Sequence, residues 1–436
     1  MNIPYSRHTL DNGLDVLVHE DHACPIVAVN LWYHVGSKNE TPGRTGFAHL
    51  FEHLMFEGSQ HYDKGYFQPL QEAGALLNGS TNADRTNYWE VVPTNALELA
   101  LWMESDRMGF LLPALTDAKF ENQREVVLNE RRQNYENRPY GFAGMAMMAA
   151  LYPPDHPYSW MTIGAAEDIR AARLDDVRAF FQTYYRPRNA SLALAGDVDT
   201  ELAIDLATRY FGELEAGDTP PGVQGTALPP QTVERRLLLE DRIELPRLYI
   251  VWHSPAIFAE DDAELDLVAE VLASGKTSRL YRSLVYDERM ATEIAATQNS
   301  RELGGYFQAV ATAAPGRTLS ELERAISQAI VNFVDQGPNA HEIERCQAQA
   351  EANFVYRLQT VGGFGGKSDQ LNAYNVFVGD PGFFERDLDR YRRVTAASMQ
   401  RVARDWLAPE RRVLLSVVPR GRRDLALAGS EPVAVS

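Results

Sequence analysis

Between residues 14 and 34 the chain is rich in Val, Leu and aromatic side chains, interrupted by the polar Glu20-Asp21-His22. Two strands joined by a tight turn, a β-hairpin, is the arrangement this pattern predicts. From Phe47 the period changes. Phe47, Leu50, Phe51, Leu54 and Met55 are apolar, the i, i+3, i+4, i+7, i+8 spacing of a helix with one core-facing side. The segment TNYWEVV, residues 86–92, returns to strand composition. Helical periodicity follows at 97–111 and 117–134, with Asp117 at the start of the second and Pro139 beyond its end. Helices and strands mix without the βαβ rhythm of a parallel sheet, so the expected fold class is α+β with mainly antiparallel sheet.

Residues 212–231, GELEAGDTPPGVQGTALPPQ, hold four prolines, four glycines and no periodicity. They read as an interdomain linker between an N-terminal domain, 1–211, and a C-terminal domain, 232–436. The two halves also end alike. LDDVRAFFQTYYRPRNASLAL at 174–194 resembles AASMQRVARDWLAPERRVLL at 396–415, each a helix, a Pro-containing turn and a strand, with Pro187 falling on Pro409. A match of this size implies a duplicated domain rather than a solenoid.

Composition narrows the function classes. With 436 residues, 45% hydrophobic and 23% charged, the chain is long enough for two or more self-supporting cores. Sixty acidic against 42 basic side chains leave a net charge of -18. That charge repels phosphate backbones and anionic lipid, and no local basic patch offsets it, so neither nucleic acid nor a membrane surface is an expected partner. The longest apolar stretches, such as 145–152, fall short of the roughly 20 residues a spanning helix needs. Cys24 and Cys346 stand in neither CxxC nor C-x-x-H spacing, which supports neither a disulfide framework nor a redox motif. MNIPYSRHTLDNG has no apolar run after a basic start. A cytoplasmic location is therefore expected, or a periplasmic one if a leader has been removed.

The chemistry concentrates in one helix. His49-Leu50-Phe51-Glu52-His53 is an H-x-x-E-H sequence whose histidines, at i and i+4, share a face and can reach one metal ion. Glu52 lies close enough to that face to hold a metal-bound water and take its proton. A zinc site with an open position needs a third protein ligand. Glu121, Glu125, Glu130 and Glu136 on the helix from Asp117 are candidates, and spacing alone does not choose among them. Elsewhere, GGFGGKS at 362–368 lacks the leading glycine of a phosphate loop, having Val361 there, and follows a helical stretch rather than a strand.

With these residues in view, the chain resembles the inverted zinc metallopeptidases, the inverzincins of the pitrilysin and insulinase family. The resemblance runs through GFAHLFEHLMFEGS, LLNGSTNADRTNYWEVVP, REVVLNERRQNYENRPYG, YYRPRNASLALAG and SGKTSRLYRSLV. Its two repeated halves resemble the mitochondrial processing-peptidase type, a duplicated fold whose subunits pair. The resemblance implies that His49, His53 and Glu130 hold one zinc ion per chain and that Glu52 is the general base in hydrolysis of short or unfolded peptides. It also implies two halves facing each other around a chamber. Asn78 and Gly79 match the family's Asn-Ala on an edge strand that pairs with extended substrate, although an Asn-Gly pair is more often a turn.

Two departures change what the resemblance implies. Where the family has a supporting acid seven residues before the ligand carboxylate, this chain has Gln123, which can still orient a neighbour by hydrogen bonding. Aligned on Ser278-Arg279-Leu280-Tyr281, the family's substrate-holding Arg and Tyr fall on Val285 and Thr292. Arg279 and Tyr286 repeat the spacing, but Arg279 belongs to the SRLY segment itself. The expectation is a zinc-bearing subunit completed by a homologous partner that supplies the pair, or else a homodimer. The competing expectation is a non-catalytic scaffold, since inactive relatives occur in the family.

Overall fold

The strands of the protein, described here for residues 2–228 and 231–435 of a computed structural model, form two six-stranded sheets with one plan. The first contains β1 (Ser6–Thr9), β2 (Asp15–Glu20), β3 (Ile26–Tyr33), β4 (Leu76–Thr81), β5 (Thr86–Pro93) and β6 (Ala190–Gly196), in the order β1-β2-β6-β3-β5-β4. The second contains β7 (Arg235–Asp241), β8 (Arg247–Ser254), β9 (Ala291–Asn299), β10 (Gly305–Ala313), β11 (Arg412–Pro419) and β12 (Glu431–Pro432), in the order β12-β7-β11-β8-β10-β9. Most neighbours run antiparallel. One parallel seam lies at the same place in each sheet, β2 with β6 and β7 with β11. The fold is α+β and duplicated, as the repeat predicts. The repeated segments themselves become Leu174–Tyr184 and β6 in one half, and Ala396–Trp406 and β11 in the other.

The expected hairpin does not form. Both strands exist, but β6 lies between β2 and β3 and pairs with each. Six of its seven residues are buried, so ASLALAG needs hydrogen-bonding neighbours on both edges. A reading limited to local neighbours misses a strand that arrives some 160 residues later. Asn78 and Gly79 lie inside β4 and not in a turn.

No helix or strand is assigned between Gly212 and Glu234, and Pro229 and Pro230 of that stretch lie outside the described residues. The described residues gather into two compact units. One runs to Arg131 and adds Trp160–Gln224 and Asn353–Arg386; the other holds Arg132–Ser159, Gly225–Ala352 and the chain from Asp387. Each unit has one sheet, with segments exchanged relative to a split at 212–231. Asn353–Arg386 joins the first unit because the Lys367–Val378 helix lies on that sheet. Its Asn372 Nδ2 donates to the Asn30 carbonyl at 2.8 Å, and Asn375 Nδ2 donates to Ser191 Oγ at 3.0 Å. Such hydrogen bonds satisfy amides that burial would otherwise penalise.

The Phe47–Leu54 helix buries the face its pattern predicts, Phe47, Leu50, Phe51 and Leu54. Phe51 packs against Phe181 and Tyr185, with ring centroids 5.6 and 5.1 Å away. Because a helix turns 100° per residue, this packing leaves His49, Glu52 and His53 on a less buried side.

Candidate metal centre

The helix carrying the motif is fixed at its start. Its N-cap, Gly46, has φ 89° and no side-chain acceptor of its own. A Cβ there would lie 2.9 Å from the Ile163 carbonyl oxygen, so glycine is required. The cap comes from upstream. Glu40 accepts from the backbone N–H of Gly46 at 2.9 Å and of Ala48 at 2.8 Å, and from Trp160 Nε1 at 3.1 Å. Burial pushes the Glu40 carboxyl up to about 8, against the pull of those donors. Asp168 holds the preceding residue, accepting from Thr45 N and Oγ1 at 3.0 and 2.7 Å.

The His49 and His53 rings stand 4.8 Å apart and nearly perpendicular. Glu130, from the Asp117–Arg131 helix, brings Oε2 to 3.6 Å from His49 Nε2 and 3.4 Å from His53 Nε2. All three donor atoms lie within 4.8 Å of one another. Of the four helical acids open in the sequence, Glu130 is the one that joins the histidines. The distances also test the fit to a metal. Donors about 2.1 Å from a tetrahedral zinc ion stand about 3.4 Å apart, and both His-to-Glu separations are close to that edge. Burial, and next the neighbouring His53, push His49 down to about 4, although Glu130 opposes the shift. Its ring is therefore neutral near pH 7 and carries the lone pair a metal needs.

Glu52 faces the same space. Burial raises its carboxyl above the ordinary range, while a hydrogen bond from the Thr81 side chain and the charges of His53 and Arg85 pull it back. A carboxyl poised upward in this way suits proton transfer near neutrality. Thr81 ends β4, an edge strand that pairs only with β5. In such a ladder alternate residues turn their N–H and C=O outward. At Gly79 the N–H is taken by its neighbour's Asn78 Oδ1 at 2.9 Å. A side chain at Gly79 would meet Tyr88 Cδ1 at 3.0 Å and Phe56 Cζ at 3.1 Å, so this edge passes close to the aromatic core.

Gln123 donates through Nε2 to Glu57, just beyond the motif helix. The acid missing at position 123 thus stands on the other side of that hydrogen bond. Val285 packs on the second core and Thr292 lies on β9, so neither offers a cation or phenol. Arg279 is committed to Glu342 at 2.8 and 2.7 Å and to the Gly337 carbonyl at 2.8 Å. Tyr286 is 75% exposed. Sequence reasoning did not single out Glu40, Thr81, Arg85 or Glu57. Glu40 had a usable signal: a helix starting at Gly46 has no side-chain cap, and an acid stands six residues earlier. Among the described residues, the other group with metal-ligand spacing is Glu20, His22 and Asp199, all exposed; none lies in the second sheet.

A family model described as insulinase, peptidase family M16, matches residues 15–154, and one described as peptidase M16 inactive domain matches 171–350. The chain belongs to the insulinase family. Zinc protease PqqE of Helicobacter pylori is 28% identical over 360 residues, covering 81% of this chain and 80% of that protein. The β subunit of the mitochondrial-processing peptidase of Caenorhabditis elegans is 27% identical over 242 residues, covering 55% of this chain and 51% of that one. The crystal structure of a protease from Helicobacter pylori aligns with TM-score 0.89 and 25% identity, over 95% of this chain and all of that chain. This insulinase-family chain is thus related to zinc proteases, and its first-half match contains the whole His49–Glu130 cluster. Among its described residues no helix is long and apolar enough to cross a membrane.

Proposed function

We propose that the protein is a zinc metalloendopeptidase acting on short or unfolded peptides. The observation that carries the reading is the convergence of His49 Nε2, His53 Nε2 and Glu130 Oε2 at tetrahedral-edge distances. These residues would hold one zinc ion per chain. Bound zinc supplies a Lewis acid that makes water a nucleophile near neutral pH and polarises the peptide carbonyl. Glu52 takes the proton of the attacking water at its carboxylate and delivers it to the departing amine nitrogen. Thr81 orients that carboxylate. The outer edge of β4, with Asn78 and Gly79, pairs with substrate backbone, which favours extended chains and excludes folded ones. Gln123 steadies the metal helix through Glu57.

The missing Arg/Tyr pair points to a second subunit. Val285 and Thr292 carry neither group, and Arg279 is spent within its own unit. Lacking one oxyanion donor typically costs on the order of 100- to 1000-fold in rate. A homologous partner supplies the groups, in keeping with a relative that is named as one subunit of a processing peptidase, the alternative being a homodimer in which other residues replace the pair. The experiment is hydrolysis of a quenched, unstructured peptide library by zinc-loaded protein, with Glu52→Gln as control. Turnover in the wild type that disappears in the control is expected, stronger when the partner is present. Equal turnover in the control would overturn the assignment of Glu52.

A further inference from the structure

Across the β4 edge from Glu52 lies a cation that the mechanism above does not use. Arg85 follows the β4–β5 turn, and its Nη1 donates to Ser80 O at 2.8 Å and to Ser80 Oγ at 2.6 Å. Its guanidinium lies over the Trp32 ring, 5.3 Å from the centroid, a contact that fixes its plane. The next strand residue, Thr81, holds Glu52. The cation and the general base are therefore anchored at consecutive positions of one edge strand, on its two opposite faces: Ser80 with Asn87 and Trp32 on one, Thr81 with Thr86 and Glu52 on the other.

Arg85 is half-buried and enters no ion pair among the described residues. The acids around it are occupied elsewhere. Asp369 Oδ1 accepts from Trp32 Nε1 at 2.9 Å and Asn87 Nδ2 at 3.2 Å, and its Oδ2 accepts from Gly365 N at 2.7 Å. Asp84 lies 3.7 Å from Lys38 Nζ. Burial pulls the Arg85 guanidinium below its ordinary value, with Asp369, Glu52 and Asp84 only partly opposing. The remaining guanidinium nitrogens are not among the buried unpartnered atoms, so they are open to solvent and to a ligand. The Nε–Nη2 edge, which makes no hydrogen bond in the structure, is the fork that accepts a carboxylate through two parallel N–H bonds.

We propose that Arg85 is a specificity residue that binds a carboxylate of the peptide within one or two residues of the bond cut, an inference that rests on the peptidase reading. The carboxylate belongs either to an Asp or Glu side chain or to the peptide's C-terminus. The chain's net charge of -18 does not forbid this. At physiological salt, charges farther than about 8 Å are screened, and the nearby Asp369 and Asp84 are committed to their own donors.

Binding separates the sources. A fluorescent ten-residue neutral peptide, a series in which one Glu moves along it, and free-acid against amidated termini are titrated against the zinc-loaded Glu52→Gln protein. One Glu position, or the free terminus, should bind about tenfold more tightly than its neutral counterpart. In the Glu52→Gln/Arg85→Gln protein that ratio should fall to about one, and Arg85→Lys, which keeps the charge but not the fork, should retain part of it. Because Arg85 also holds Ser80, a purely structural role would weaken neutral and acidic peptides by the same factor and leave the ratio intact. An unchanged ratio in Arg85→Gln, or equal affinity for every peptide in the series, overturns the inference alone. Failure of every peptide to bind overturns the peptidase reading beneath it.

Discussion

The first sheet and the second share a strand order inside their outermost β1 and β12, and in each the strand that stands fourth is followed along the chain by a helix: Phe47–Leu54 after β3, and Asp262–Ala273 after β8. In the first, that helix bears His49, Glu52 and His53. In the second, Val271, Ser274 and Gly275 stand at the matching places of the repeat, and Val271 is buried in an apolar cluster with Leu267, Leu272 and Ile250. The contrast extends into the interiors. Beneath the first sheet, Arg107 is fully buried with Glu104 and Glu90 and lies between the rings of Tyr66 and Tyr88, at 3.9 and 4.1 Å from their centroids. The second unit carries ion pairs of its own, Arg390 with Asp262 and Asp387, and Arg412 with Glu323. One scaffold has therefore been filled twice, with a different polar network in each half whose members must each be satisfied.

The sharpest way to break this comparison is to exchange chemistry between matching positions. Glu52→Gln should lower kcat/KM for a quenched peptide on the order of 1000-fold while zinc is retained, and Ser274→Ala should leave turnover at the wild-type level. Equal losses in the two variants would show that the halves do not divide the work. The interiors come next. Arg107→Ala strands Glu104 and Glu90 and should cost about 3–5 kcal/mol, whereas Leu267→Met in the second core should cost less than about 1.5 kcal/mol, both read from urea unfolding.

Smaller effects refine the account of how the motif helix is held. Glu40 has its carboxyl raised to about 8 by burial. Its folded value lies above the unfolded one, so its contribution is complete at low pH and is lost as pH rises toward 8. Wild-type stability should fall by roughly 2 kcal/mol relative to Glu40→Gln between pH 5 and pH 8. A gap that widens with pH would mean the three donors hold the carboxylate ionised. Smallest is Gly79→Ala, where the new methyl presses on Phe56 and Tyr88 and should cost about 1 kcal/mol. The counterpart edge, β9, contains no glycine.

Much of this was legible in the residues. The apolar spacing from Phe47 gave the helix and its buried side, and the Pro187 and Pro409 segments revealed the duplication, because both are local patterns with a fixed period. The hairpin expected from Leu14 to His34 failed because pairing is not local, and β6 takes the place between the two strands. The third donor was ambiguous among four acids on one helix, since only the crossing of that helix over His49 and His53 selects Glu130. Arg85 and Thr81 were unreadable as site residues for the same reason. Their roles come from the way β4 runs past Glu52, not from any spacing along the chain.

The central claim is that one half of a duplicated fold holds the metal, and the most direct test is zinc content by mass spectrometry of the dialysed protein, wild type beside His49→Ala and Glu130→Ala. One zinc per wild-type chain is predicted, with loss in both variants and retention of the folded state by circular dichroism. Zinc that persists in His49→Ala, or a stoichiometry of two per chain, would contradict the assignment.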